Sequence, residues 1–378
     1  MTMTAGSPSL LWSLNARAVL EIVHRLAPVA RPEIKRESGL SKTAIAQTLA
    51  ELERRGIVIN AGLDDSRRGP VATLYALDPR FRLGAAIDIG HRRIRVVIVG
   101  TTGTVLARSE ADAAHDSPDA TAKATLAVVA ECAQHLGLTP ADLSCAVIGV
   151  AATVTATGSL LLASGLADDG VGLPEALAHR LPFPITLEND TNLAAIAEQH
   201  LRPLADFVLL SVGSSIGAGI VIGGALHRGT RGAAGEVNYL PGRDDIVDDT
   251  LGAVSVAADA VAEGMPAGLS AKDVFDAART GDAAALRAVD RTAARLARVI
   301  TSLALVLDPE AVILGGSIGA NGDLLVGPVS RRLDDAFPHA GVPVLAALAG
   351  DDAVLDGAAS LCGSLVREQA FELATVPA

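Results

Sequence analysis

The sequence predicts an α/β protein made of a small N-terminal winged helix-turn-helix and a two-lobed body, and three observations carry that prediction. Residues 1–80 contain two short helical patterns joined by Gly39-Leu40-Ser41, then a hairpin pattern. From Leu83 onward, strands rich in Val, Ile and Ala alternate with helical segments, as in α/β domains. Three strands of this second part run into glycine turns, at 88–90, 213–219 and 315–316, where main-chain amides free of side chains can hold an anion. At 378 residues, 50% of them hydrophobic, the chain can bury two or three separate cores.

In chain order, Leu14, Ala18, Ile22 and Leu26 recur at intervals of four and stop at Pro28, which predicts a first helix packed on the next two. Arg31 to Gly56 reads RPEIKRESGLSKTAIAQTLAELERRG. Gly39 suits a tight turn, Ser41 suits an N-cap, and Ile45, Leu49 and Leu52 share one face of the following helix. That is the helix-turn-helix pattern, in which the second helix enters the DNA major groove with its N-terminal residues at base edges. Lys42, Thr43, Ala44, Gln47 and Thr48 lie off the apolar stripe and are the candidate base readers, with Arg31 and Ser41 as further DNA contacts. Glu51, Glu53, Arg54 and Arg55 read as a solvated or phosphate-facing end. A surface helical hairpin is the structural alternative.

Ile57-Val58-Ile59, a turn over Gly62 to Pro70 and a returning strand from Val71 to Leu77 form the wing. Arg67 and Arg68 at its tip are placed for a phosphate or the minor groove, or else for solvent. Pro79 closes the head, giving a first domain of 1–80. The body then reads as a first lobe over 81–188, completed by a C-terminal helix over 357–378, and a second lobe over 189–356. Its strands are Leu83 to Gly90, Ile94 to Val99, Ala146 to Ala151, Phe207 to Val212 and Ala311 to Leu314; its helices include Ala120 to Gly137 and Ala284 to Val306. The glycine turns, with Glu188-Asn189-Asp190 between them, suit a two-lobed nucleotide-binding fold of the actin and hexokinase kind.

Composition narrows the function. Residues 1–80 hold 11 Lys or Arg against 8 Asp or Glu, and the remainder 20 against 35. A mildly basic head on a body of charge −15 confines any DNA contact to the head. No apolar run is long enough to span a bilayer, and the first residues carry no basic segment before a long apolar core, so a soluble cytoplasmic protein is expected. Cys132, Cys145 and Cys362 are scattered through apolar stretches and are expected as reduced, buried thiols.

These motifs together resemble the ROK family of repressors, uncharacterised reading frames and sugar kinases, in particular its repressor branch with an N-terminal winged helix. The likeness runs from Asn15 to about Ser364 and rests on Gly39-Leu40-Ser41, Asp88-Ile89-Gly90, Glu188-Asn189-Asp190, Ile216-Gly217-Ala218-Gly219, Gly235-Glu236, Asp308-Pro309 and Gly315-Gly316. It implies a ribonuclease H-like, actin/hexokinase-like body. It further implies that Asn189 and Asp190 grip sugar hydroxyls, that Asp190 holds the place of the kinases' general base, and that Glu236 is a further sugar contact, beside which Tyr239 is a candidate. Asp88, Gly90, Gly217, Gly315 and Gly316 then fall at nucleotide-binding positions, read here as vestigial.

Three departures from the family pattern shape the expectation. Kinases of the family carry a second glycine and a threonine after the first glycine of the phosphate loop, whereas His91 and Arg92 follow Gly90 here. The family's Gly-His and cysteine-rich zinc loop is replaced by Val237-Asn238-Tyr239 and Pro241 to Asp249, which contains no cysteine, so no metal is expected. Asp244, Asp245, Asp248 and Asp249 there read as a solvated acidic loop. The family's last sugar-binding Glu is replaced near Ser255. The expected function is therefore a DNA-binding transcriptional regulator, a repressor sensing a sugar or sugar phosphate, without cofactor or membrane, acting on a double-stranded operator as a homodimer or homotetramer. The alternatives are a ligand-dead dimerisation scaffold and an active sugar kinase.

Overall fold

A computed structural model of the chain describes residues 8–64, 71–163, 165–240, 251–336 and 341–376. The head contains helices Pro8–Leu26, Arg31–Ser38 and Lys42–Arg54, then strands Val58–Asp64 and Ala72–Leu77 joined in an antiparallel wing, with Val29–Ala30 on the outer side of the second strand. Gly39 takes the left-handed conformation (φ 69°) that ends the first helix of the motif, and the Ser41 hydroxyl accepts the Ala44 N–H at 3.1 Å to start the next. The first wing strand is longer than the sequence suggests: Gly62, expected in the turn, sits within it beside a register shift after Asn60.

The buried stripe of the first helix also differs from expectation. Ala16, Val19, Leu20 and Val23 are buried, while Leu14 is 60% exposed. A strict interval of four advances about 40° too far at each step of a 3.6-residue helix, so Leu14 and Leu26 cannot share one face. Val19, Leu20, Ile34, Ile45, Leu49, Leu52 and Tyr75 form the head core.

The body repeats one sheet plan twice. In the first lobe, Leu83–Ile89, Arg93–Gly100 and Val105–Asp112 make an antiparallel meander, and Ala146–Val150 and then Ile185–Asn189 join the free edge of Leu83–Ile89 in parallel. In the second, Phe207–Val212, Ile216–Ile222 and Ala225–Leu226 form the meander, and Ala311–Gly315 and Val344–Ala346 extend it in parallel. Both central strands are buried along nearly their whole length, and apolar but for Asp88 in the first and Ser211 in the second, because both sheet faces are covered. Helix Pro118–Gln134 covers the outer face of the first sheet. Helices Ala253–Ala262, Ala271–Arg279, Ala283–Leu307 and Gly322–Ala336 cover that of the second.

Two helices fill the space between lobes. Asp190–Leu201 packs Ala194 and Ala195 on the second sheet and Leu193 against the C-terminal helix Ala353–Thr375, which begins four residues before its expected start. The crossing is close: a Cβ on Gly357 would stand 1.9 Å from the Leu193 carbonyl oxygen.

The C-terminal helix also joins body to head. Its first part, Leu355, Ala358, Cys362 and Val366, packs on the first sheet, whereas Ala370, Phe371 and Ala374 enter the head core. Polar contacts reinforce the joint. Both Nη groups of Arg17 donate to Glu368 (2.5 and 2.9 Å), Trp12 Nε1 donates to the Ala374 carbonyl and Ser13 Oγ to that of Thr375. Arg55 Nη1 donates to the carbonyls of Ala374 (3.2 Å) and Val376 (2.8 Å), capping the end of the helix. Arg55 is thus held against the body rather than at the solvated or phosphate-facing end expected of it, and Arg54 and Arg55 both pair with Glu51. Among the described residues no helix is long and apolar enough to cross a membrane.

Candidate functional sites: the interlobe cleft and the recognition face

The cleft follows from the doubled topology, because both sheets present strand ends and tight turns to the space between lobes. A cavity of about 390 Å³ lies there, floored by Asn189 to Asn192 and walled by Ala151 to Thr153, the Ser211 to Ala218 hairpin and residues 232–239. It brings together Asn189, Asp190, Glu236, Tyr239 and Gly217 from distant parts of the chain.

Asn189 is the N-cap of the interlobe helix. Its Oδ1 accepts the Asn192 N–H (3.0 Å) and its Nδ2 donates to the Ala152 carbonyl (3.1 Å), which leaves one N–H and one lone pair for a ligand. Glu188 beneath it is structural: its carboxylate accepts from the Asn189 N–H, the Asn192 amide and Arg228 Nε. Asp190 uses one carboxylate oxygen for the Thr191 N–H (2.7 Å), and its other oxygen meets no donor among the described residues. Burial raises its pKa from 3.8 to about 6, opposed by the Thr191 N–H and aided by the charges of Asp88 and Glu236.

Glu236 accepts a hydrogen bond from the Thr153 hydroxyl of the first lobe, so its carboxylate spans the cleft. The Asn238 amide, oriented to satisfy both its ends, donates to the Glu236 backbone and carboxylate oxygens at 3.3 Å. Glycine is obligatory in this segment. A Cβ on Gly235 (φ 95°) would lie 1.8 Å from the Ala218 oxygen, and one on Gly232 would lie 2.1 Å from that of Val154. Tyr239 is 52% exposed at the mouth.

The nucleotide-type positions are differently placed. Of the five, only Gly217 lines this cavity. Asp88 is buried and gripped by Arg95 through Nη2 (2.5 Å) and Nε (3.0 Å), while Arg95 Nη1 reaches Asp352 (2.7 Å). Burial nevertheless raises the Asp88 carboxyl above its ordinary value. Gly90 donates its N–H to the Arg93 carbonyl (2.9 Å), closing a hairpin tip where His91 and Arg92 stand exposed. Gly316 (φ 75°) serves the strand-to-helix turn, since a Cβ there would meet the Val212 oxygen at 2.4 Å; Gly315 has an extended backbone and ends its strand.

The donor set does not fit a zinc ion. Cys132, Cys145 and Cys362 are buried in the cores of the first lobe, and the described residues hold no cluster of three or more His, Cys, Asp or Glu suited to a metal. The acidic run at 244–249 lies outside the described residues.

On the head, Lys42, Thr43 and Gln47 are exposed and Ala44 is half-buried on the outer face of the recognition helix. Thr48 corrects the sequence reading. It is 2% exposed, three residues after Ile45 and one before Leu49, and faces the head core, so it cannot touch a base. Ser41 has its hydroxyl oxygen engaged as the N-cap, and the exposed Arg31 lies 5.3 Å over the Tyr75 ring. Arg67 and Arg68 lie outside the described residues.

Sequence reasoning missed Thr153, Thr191 and Asn238. Asn238, two residues after Glu236, was visible as a nearby polar side chain; Thr153, 83 residues away from its partner, carried no signal.

Comparison with known proteins supports this two-part reading. The model of the ROK family matches residues 84–246 and 250–364. A protein of Caldicellulosiruptor sp. (strain Rt8B.4), provisionally named a xylose repressor, is 24% identical over 86% of this chain and 88% of its own. An N-acetylmannosamine kinase of Escherichia coli O127:H6 is 32% identical over 73% of this chain and 97% of its own. Among solved structures, a ROK family transcriptional regulator described as a homolog of the E. coli MLC protein superposes with a TM-score of 0.77 at 19% identity, over 97% of this chain and 99% of the other. A Streptomyces griseus glucokinase in complex with glucose and AMPPNP gives 0.63 at 25% identity over 75% and 99%. The kinase matches leave out about a quarter of this chain, whereas the regulator matches extend over most of it. The chain belongs to the ROK family.

Proposed function

We propose that the chain is a transcriptional regulator that binds operator DNA through its winged helix and a sugar or sugar derivative in its interlobe cleft, and that it does not phosphorylate that sugar. The observation that carries this reading is the joint between head and body: one continuous helix, Ala353–Thr375, is part of the first-lobe core at one end and of the DNA-binding core at the other. The head therefore moves with the first lobe. A ligand bridging Asp190 and Asn189 to Glu236 would favour one interlobe angle and so one spacing of two heads in a dimer, which must match half-sites about one DNA turn apart or a multiple of it.

Catalysis is disfavoured by the first hairpin. A kinase needs its phosphate to approach main-chain amides there. Arg95 occupies Asp88, and His91 and Arg92 follow Gly90 where the family's kinases have small residues. Lys42, Thr43, Ala44 and Gln47 are assigned as base readers, with Arg31, Arg67 and Arg68 as phosphate or minor-groove contacts. A second reading, a scaffold without ligand, draws on the structural work that both ends of the Asn189 amide already do, one capping the interlobe helix and the other holding the Ala152 carbonyl. A thermal-shift panel of sugars, sugar phosphates and ATP separates the readings, since a ligand at a hundred times its Kd stabilises by about 2.7 kcal/mol. A sugar hit without ATP supports the sensor, silence supports the scaffold, and an ATP shift with sugar turnover supports the kinase.

A further inference from the structure

A second recess lies at the other end of the interlobe helix. Asp190 to Asn192 line the cleft, whereas Ala197, His200 and Leu201 help to line a groove of about 540 Å³. Its other walls are His24 of the head, the Thr102-Gly103 turn of the first lobe and one face of the C-terminal helix. Asp356, Ser360, Ser364 and Arg367 share that face at spacings of four, four and three.

The groove has two unlike ends. At one, His200 Nδ1 contacts the Ile196 carbonyl (2.7 Å) and Nε2 the Ser360 hydroxyl (3.0 Å), near Asp356, whose carboxyl burial pushes up. At the other, Arg367 Nη2 donates to Ser364 Oγ (3.2 Å), and among the described residues no carboxylate pairs with the guanidinium. Glu368 beside it is held by both Nη groups of Arg17. Burial disfavours the charge on Arg367, and burial together with Arg367 holds the His24 imidazole below its usual pKa. A half-buried guanidinium whose nearest carboxylate, Glu368, is already engaged by Arg17 costs the fold free energy that an anion would recover.

We propose that this groove binds the phosphate of a small phosphorylated metabolite, gripped by the Arg367 fork with His24, Ser364 and Thr102 around it. Bidentate recognition of phosphate is what the guanidinium plane provides. Because head, first lobe and interlobe helix all contribute walls, an occupant fixes the head against the body, independently of what the cleft binds.

The test is thermal denaturation of the protein titrated with inorganic phosphate, glycerol 3-phosphate as an ester without a sugar ring and, at matched ionic strength, chloride and acetate. Expected is a saturable rise in Tm with phosphate or its ester, lost in Arg367→Gln, reduced in His24→Gln and retained in Asp190→Asn. Should Arg367→Gln fail to fold, Arg367→Lys, which keeps the charge and loses the fork, is expected to weaken the response at least several-fold. A response equal to that of chloride, one that survives Arg367→Gln, or one lost in Asp190→Asn overturns the proposal. An equal response to acetate overturns the phosphate assignment.

Discussion

Replacing Asp190 by Asn should make the ligand-free protein more stable while removing its sugar response. The carboxyl sits at the cleft floor with a pKa raised by burial from 3.8 to about 6. Folding thus favours the protonated form. The group contributes most to stability below its unfolded pKa, and that contribution falls as pH rises from about 4 to about 6. Above that window, roughly two pK units at 1.36 kcal/mol each put the cost of the ionised carboxylate at about 3 kcal/mol. Asn keeps the oxygen that accepts the Thr191 N–H and removes the charge. Allowing for relaxation and solvent in the cleft, Asp190→Asn should gain on the order of 1–3 kcal/mol near pH 7.5 and almost nothing below about pH 4. Urea unfolding followed by circular dichroism at the two pH values reads the difference. A destabilised variant near pH 7.5, or an equal change at both pH values, would refute the assignment of Asp190 as a charge held in the cleft at the expense of stability.

Further outcomes follow from the head, the joint and the second lobe. Gln47→Ala and Thr43→Ala should broaden the set of DNA sequences recovered by selection while leaving the fold intact; Thr48→Lys should instead unfold the head, visible as lost DNA binding to every sequence, because it buries a charge in the head core. Phe371→Ala should cost about 3–4 kcal/mol of head stability by leaving a cavity between head and C-terminal helix. Arg55→Ala should preserve DNA affinity but reduce the sugar's effect on it, and an undiminished effect would show that the helix cap plays no part in coupling. Gly316→Ala should lower the melting temperature of the second lobe, since its Cβ meets the Val212 backbone at 2.4 Å in a left-handed conformation.

Elements with a local signal were legible in the sequence. Ser41, Gly39 and the Ile45, Leu49, Leu52 stripe gave the recognition helix because capping, turn and amphipathic periodicity are all short-range. The mostly apolar central strands and the glycine turns gave the body, because strands covered on both faces leave a nearly continuous hydrophobic run. Thr48 was misread because a threonine at the edge of an apolar stripe faces inward or outward according to the helix's rotation, which tertiary packing sets. Arg55 was misread for a longer-range reason: its partners lie more than 300 residues away, at the end of a helix whose contact with the head no local pattern announces. The same holds for Arg95 on Asp88 with Asp352, and for Thr153 on Glu236.

The most direct measurement is DNA affinity under a sugar panel. DNA selected by the full-length protein is labelled, and its fluorescence anisotropy is titrated with protein in the presence of each sugar, for the wild type and for Asp190→Asn. The account predicts that one class of sugar or sugar derivative changes the wild-type Kd by about tenfold or more, that the variant binds the same DNA without responding, and that neither protein consumes ATP. A variant that still responds would contradict the cleft as the sensing site, and a wild type indifferent to every sugar would contradict the sensor itself.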